Sequence, residues 1–134
     1  MKERGAGLFC AIAGGGDAAT GLLLVSAPAL ALRLLGIPHP GGDLLFLRLA
    51  GVFVGCVGLT YLYPWLRRDR PRRAGRIVAA FEITAGFRLA VALFLGVSLA
   101  VGALELPWVT VGFYDAIVAL AQIGLLVRGE LGGA

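Results

Sequence analysis

The chain has 134 residues, of which 59% are hydrophobic and 15% charged, with a formal net charge of +4 and a mean hydropathy of +0.90. Soluble domains carry roughly 45–50% apolar and about 25% charged residues, so a small core wrapped in a polar shell is excluded. The length suits a single domain over residues 1–134, and at ~20 residues per crossing four membrane spans would use ~80 residues and leave about 54 for ends and loops.

The first apolar run extends from Leu8 to about Leu35 and stops at Gly36-Ile37-Pro38-His39-Pro40-Gly41-Gly42, where a helix cannot continue through two prolines. The second run covers residues 44–65, the third 77–104 and the fourth 108–127. Each exceeds the ~18 apolar residues of a candidate span and reaches across a hydrocarbon core of ~30 Å. The expected fold is all-α, a four-transmembrane-helix bundle, because an open sheet cannot satisfy its backbone in lipid. Lys2 and Arg4 ahead of the first run, with Ala29-Leu30-Ala31 behind it, resemble a signal peptide. The run is too long for that and is interrupted by Gly14-Gly15-Gly16-Asp17, so a retained helix is expected.

Between the second and third runs lie six arginines in ten residues, from Arg67 to Arg76. With Lys2, Arg4 and Arg128 they place nine basic residues on one side of a four-span chain, against Arg33 on the other. The positive-inside rule puts both termini and the arginine loop of a multi-pass membrane protein in the cytoplasm. Tyr61, Tyr63 and Trp65 would form an interfacial belt on that side and Trp108 one on the other. Topology accounts for the arginine cluster, so contact with lipid head groups is expected and a nucleic-acid partner is not.

Cys10 and Cys56 lie inside apolar runs without a CxxC pair, and His39 sits between prolines. A redox dithiol, a bis-histidine haem and a tetrahedral metal site are therefore not expected.

The informative residues are the charges inside the runs: Asp17, Arg48, Glu82, Arg88 and Asp115. An ionised group at mid-membrane costs on the order of 2.5–3.5 kcal/mol even on lenient scales, so such residues need partners, water or neutralisation. Counted from the cytoplasmic ends, Arg88 and Asp115 fall at one level, ~18 Å deep, and Asp17 at ~13 Å. The expectation is a polar cluster centred on Arg88, with Asp115 and Asp17 nearest, Arg48 capping it from outside and Glu82 from inside. It would be either a ligand-binding or proton-coupling cavity or a set of ion pairs that fixes helix order.

Glycine is abundant, with 21 residues. Gly51 and Gly55 form a GxxxG in the second span, followed by Gly58, while Ala11, Gly15 and Ala19 share a face of the first. Small residues let membrane helices approach closely, either within one bundle or in a homo-oligomer through the second span. Gly14-Gly15-Gly16 beside Asp17 would also permit a kink or local unwinding of the kind seen in transporters. Arg48 and Asp115 each follow a proline by eight residues, Pro40 and Pro107, a spacing that hints at two parallel helical hairpins.

Arg48-Leu49-Ala50-Gly51, Gly86-Phe87-Arg88, Tyr114-Asp115-Ala116 and the basic central loop together resemble small bacterial four-helix membrane proteins of the DoxX-like kind. The resemblance spans most of the chain and implies, for some members, a role as subunit of a quinone-linked oxidoreductase. A more distant likeness is to the four-helix sterol-isomerase and sterol-binding group, and small multidrug exporters share four spans with a carboxylate in the first. Three functions follow as expectations. The first is a non-catalytic subunit or small-ligand bundle that binds a quinone or lipid and has membrane-protein partners. The second is a proton-coupled transporter working as a dimer through Asp17, and the third an isoprenoid- or sterol-modifying enzyme with Glu82 or Asp17 as proton donor.

Overall fold

The computed structural model describes residues 3–38, 41–66 and 72–129, and all regular structure among them is helical. Helix α1 spans Glu3–Ser26, α2 Pro28–Leu34, α3 Leu45–Leu66, α4 Arg73–Ala100 and α5 Val109–Val127, with a 3-10 turn at Leu106–Trp108. Four segments are long and apolar enough to cross a membrane: α1, α3, α4, and α5 together with its 3-10 turn. Lys2, His39, Arg67, Arg68 and Arg70 lie outside the described residues.

The first apolar run is not one helix. Pro28 supplies no N–H and its ring opposes the carbonyl four residues back, so α1 ends at Ser26 and Pro28 becomes the first residue of α2. The sequence reading from Leu8 to Leu35 passed over that proline. Gly36 closes α2 in the left-handed region (φ 69°), with the Gly36 N–H donating to the Arg33 carbonyl and the Ile37 N–H to that of Leu32. These two bonds form a Schellman stop, which needs a residue without Cβ at its turn. The chain re-enters at α3, whose first N–H, at Leu45, donates to the Asp43 carboxylate at 2.9 Å. Helix α4 begins earlier than its apolar run, at Arg73, and ends at Ala100. There Gly102 (φ 72°) makes the same kind of stop, its own N–H donating to the Leu99 carbonyl and the Ala103 N–H to that of Ser98.

The helices associate chiefly as two pairs, α1 with α3 and α4 with α5, and α3 touches α4 over a smaller seam. Glycine makes the first pair possible. A Cβ on Gly21 would stand 2.5 Å from the Gly55 nitrogen and 2.6 Å from the Gly51 oxygen, and one on Gly58 would stand 2.5 Å from the Ala18 nitrogen. These are backbone-to-backbone approaches that no side chain tolerates. Gly51 and Gly55 are thus helix-packing residues, but α1 of the same chain occupies their face. A second copy would have to meet α3 elsewhere. On α1 the packed face is Gly14, Ala18 and Gly21, whereas Ala11, Gly15 and Ala19 stand exposed, offset by one residue from the face read in the sequence.

Toward the end of the bundle that carries the termini, Cys10, Tyr61 and Phe81 are fully buried with Ala6, Ala13 and Ile77 around them. The Phe9 and Phe81 rings lie 5.0 Å apart, and Tyr61 meets Phe81 edge-on at 6.1 Å, a favoured aromatic geometry. Tyr61 is therefore a core residue and not part of an interfacial belt. Tyr63 and Trp65 stand at that end of α3, with the Arg73 guanidinium 4.8 Å over the Trp65 ring and Arg76 6.0 Å from Tyr63. Elsewhere large apolar side chains such as Ile12, Phe53, Phe94 and Leu120 face outward. Such a surface marks an interaction or membrane site, and here it matches lipid.

Substituting Gly21→Ala is expected to cost about 1–3 kcal/mol through forced separation of α1 from α3. Gly15→Ala, which meets open space, should stay within about 0.5 kcal/mol of the parent. Unfolding equilibria in mixed micelles compare the two.

Candidate functional site

Arg88 projects from the middle of α4 into the bundle, where its side chain is 5% exposed. Its Nε donates to the Tyr61 hydroxyl on α3 at 3.1 Å. One terminal nitrogen donates to Asp115 on α5 and the other to Asp17 on α1. The rings of Tyr61 and Tyr114 stand 5.7 and 5.4 Å from the guanidinium carbon, within cation–π range. A single guanidinium thus touches every other spanning helix. Its planar fork suits two carboxylates at once in a way an ammonium would not.

The local sequence explains the placement. Arg88 continues the inward stripe Ile77, Phe81, Thr84 along α4 at helical spacing. Asp115 follows Gly112, which brings α5 against Leu95 of α4 with 3.3 Å left for a Cβ. Asp17 sits one turn from Gly14 and one from Gly21, so the glycine contact with α3 fixes its depth. A Cβ on Gly14 would stand 2.8 Å from the Tyr61 Cβ, and that crowding positions the tyrosine beside Arg88. Gly14-Gly15-Gly16 lies within continuous α1. The helix does not unwind there: Gly14 serves close approach to α3, while Gly15 and Gly16 face open space.

Two of the five intramembrane charges lie elsewhere. Arg48 is exposed and donates to the Val25 carbonyl, one of the last carbonyls of α1, where a cation suits both the unpaired oxygen and the helix dipole. It caps α1 and does not compete for Asp115. Glu82 is exposed on the side of α4 that faces away from the cluster. Its position six residues before Arg88 turns it by about 120° at 3.6 residues per turn, too far to cap the cluster from below.

One participant, Tyr61, and a separate buried polar pair, Thr84 with Gln122, are not among the residues the sequence singles out. Tyr61 was read as interfacial. Thr84 and Gln122 are fully buried, with the Gln122 Nε2 donating to the Thr84 Oγ1 at 2.8 Å and the Thr84 hydroxyl donating to the Ala80 carbonyl at 2.6 Å. The signal existed: Thr84 precedes Arg88 by four residues and Gln122 follows Asp115 by seven, so each shares a helix face with its charged neighbour. The Gln122 Oε1 is buried without a hydrogen-bond partner.

The charges do not balance. Two ionised carboxylates against one guanidinium leave a formal excess of one negative charge, which one proton neutralises. Exposure is uneven as well, because the side chains of Asp17 and Asp115 are 9% and 14% exposed while Tyr114 is 47% exposed. The cluster is most exposed on the α5 side. Among the described residues no group of three or more His, Cys, Asp or Glu side chains is arranged to hold a metal ion. A separate cavity of about 350 Å³ opens at the opposite end of the bundle from the termini, between Leu32, Ile37, Leu47, Asp43, Glu105 and Trp108, and contains no member of the cluster.

No protein-family model, curated protein or solved structure matches this chain.

Removing one partner of a buried ion pair leaves the others uncompensated, so Arg88→Ala is expected to destabilise the bundle by about 3–5 kcal/mol. Tyr61→Phe deletes one hydrogen bond to a charged group and should cost about 1.5–3 kcal/mol. Both are read from unfolding midpoints in mixed micelles.

Proposed function

We infer that this protein is a non-catalytic membrane bundle that binds a small neutral amphiphile, a quinone or a lipid, at the α5 edge of the Arg88 cluster. It acts alone or as the membrane subunit of a larger assembly. The observation that carries this reading is the engagement of Arg88 by three partners inside the bundle. Each of its three nitrogens already donates to Tyr61, Asp17 or Asp115, and the two flanking carboxylates compensate its charge, so nothing is left over to draw a phosphate. What remains at the surface is Tyr114, next to Asp115 and outside the buried part of the cluster. A phenol there can donate to a carbonyl or hydroxyl oxygen of a neutral head group, while the tail lies along the apolar outer face of the bundle.

The proposal keeps the family resemblance carried by Arg48-Leu49-Ala50-Gly51, Gly86-Phe87-Arg88 and Tyr114-Asp115-Ala116, which points to a quinone-linked context in a bacterial inner membrane. The excess of basic residues at the termini and in the central segment places that end in the cytoplasm. A reporter that functions only in the cytoplasm, fused after residue 134, is expected to be active. Activity confined to a reporter that requires export would reverse the orientation.

Native mass spectrometry of gently solubilised protein is expected to show one retained quinone or lipid. Titration with a short-chain quinone should give saturable binding that Tyr114→Phe weakens about five- to tenfold, the worth of one hydrogen bond. The thermal midpoint should not move, since Tyr114 is half exposed. Protein that carries no adduct and takes up no quinone or lipid, or a Tyr114→Phe variant that binds as the parent does, overturns the reading.

A further inference from the structure

At the end of the bundle away from the termini, the stretch from α2 into α3 meets the turn from α4 into α5, and the cavity of about 350 Å³ lies between them. The first helical pair supplies Leu32, Ile37 and Leu47 to its wall, and the second supplies Trp108. Leu32 and Ile37 are only 3% and 4% exposed. The stop of α2 holds them, with the Ile37 N–H donating to the Leu32 carbonyl at 2.9 Å, so the apolar wall is preformed. The volume falls within the roughly 300–1,000 Å³ of small-molecule sites.

Each pair also brings one carboxylate to the lining, Asp43 from the first and Glu105 from the second. The fold does not use either one up. Asp43 accepts the Leu45 N–H on one oxygen, whereas a carboxylate has about four acceptor sites. Glu105 precedes the 3-10 turn but makes no side-chain cap bond. Among the described residues neither forms an ion pair, and no Lys, Arg or His lines the cavity. Arg33 belongs to a neighbouring groove that shares only Ile37 and Pro38 with it. Both carboxylates are exposed and lie just ahead of spans that begin at Leu45 and Leu106. A negatively charged rim at the membrane boundary thus stands over apolar walls.

We propose that this cavity binds a small amphipathic amine in its ammonium form, with the nitrogen between Asp43 and Glu105 and the apolar body against Leu32, Ile37 and Leu47. The Trp108 ring adds a π face, which attracts cations. Charge and shape select this occupant together. A metal ion gains nothing from the apolar walls, and an anion is repelled by the rim. A phospholipid that carries an ammonium also carries a phosphate, which the same carboxylates oppose, so the ligand is a free amine. Because the carboxylates come from different helical pairs, an ammonium held by both also ties the two turns together. The site shares no residue with the Tyr114 edge and does not depend on what binds there.

The test is titration of the protein in a nonionic detergent with phenethylammonium, read from tryptophan emission. A saturable change is expected that is lost in Trp108→Phe and kept in Trp65→Phe. Phenethyl alcohol should bind more weakly, and phenylacetate should have no effect. Glu105→Gln and Asp43→Asn, the latter keeping an oxygen for the Leu45 N–H, should each weaken binding about two- to fivefold, and both together about tenfold. Ala103→Leu, which adds bulk to the lining, should weaken it without altering charge. Tyr114→Phe should leave the ammonium titration unchanged, and Glu105→Gln should leave quinone binding unchanged, so the two sites stand or fall separately. Absence of a saturable response overturns the proposal, as does an equal response to phenethyl alcohol. So does undiminished binding in the Asp43→Asn/Glu105→Gln chain, or stoichiometric displacement of the probe by an ethanolamine phospholipid, which would give the cavity to a lipid head group.

Discussion

A guanidinium in hydrocarbon has no water to fall back on, and that constraint organises this bundle. Arg88 must find an acceptor for each face of its fork inside the protein, and it finds them on α1, α3 and α5. The two helical pairs have separate reasons to exist, α1 with α3 through glycine and α4 with α5 through ordinary packing and Gly112. The seam between them is smaller. Asp17 and Tyr61 belong to one pair and Arg88 and Asp115 to the other, so the cluster, together with the aromatic core of Phe9, Tyr61 and Phe81, joins the halves and fixes their relative depth. Sliding one pair by a helical turn, about 5.4 Å, would strip the guanidinium of two partners at once.

Much of this was legible in the amino-acid sequence because lipid simplifies the problem. Apolar length alone marks the four crossings, and the rarity of charge inside them singles out Arg88, Asp115 and Asp17. Counting residues in from the ends brought the three to comparable depth, since helical rise is constant. What could not be counted was azimuth. Arg48 and Glu82 also lie at plausible depths, but each is turned away from the cluster. That rotation is set by which side of α3 or α4 packs on its neighbours, information spread over the glycine face and the Ile77–Phe81–Thr84 stripe. The one-residue error between Ala11–Gly15–Ala19 and the packed Gly14–Ala18–Gly21 has the same origin, because in a helix rich in Gly and Ala several faces look alike. Tyr61 was lost because tyrosine in the last turns of a span has an equally good interfacial use, and Pro28 because the apolar run continues beyond it.

The same residue types therefore do opposite work at different positions. Gly21, Gly51 and Gly58 bring backbones together within the chain, while Gly75 and Gly86 meet open space on α4. Arginine joins helices at Arg88, caps a helix end at Arg48 and rests on aromatic rings at Arg73. In a chain so rich in Leu, Ala and Gly, placement and not composition separates a structural role from one at a surface.

The link between Arg88 and Asp17 spans 71 positions of the chain, which bears on how the protein is made. Membrane helices enter the bilayer in order and then associate. With a ribosome adding roughly 5–20 residues per second, several seconds separate the arrival of Asp17 from that of its cation. During that interval α1 and α3 are held by their glycine contact and the Arg48 cap on α1, with Asp17 facing an unfilled side. The first hairpin is thus a half-product whose acidic residue keeps it unfinished, and the third span, on delivering Arg88, closes it. A nascent chain arrested before α4 would expose Asp17 at the hairpin surface, a mark by which an unassembled intermediate differs from the finished bundle.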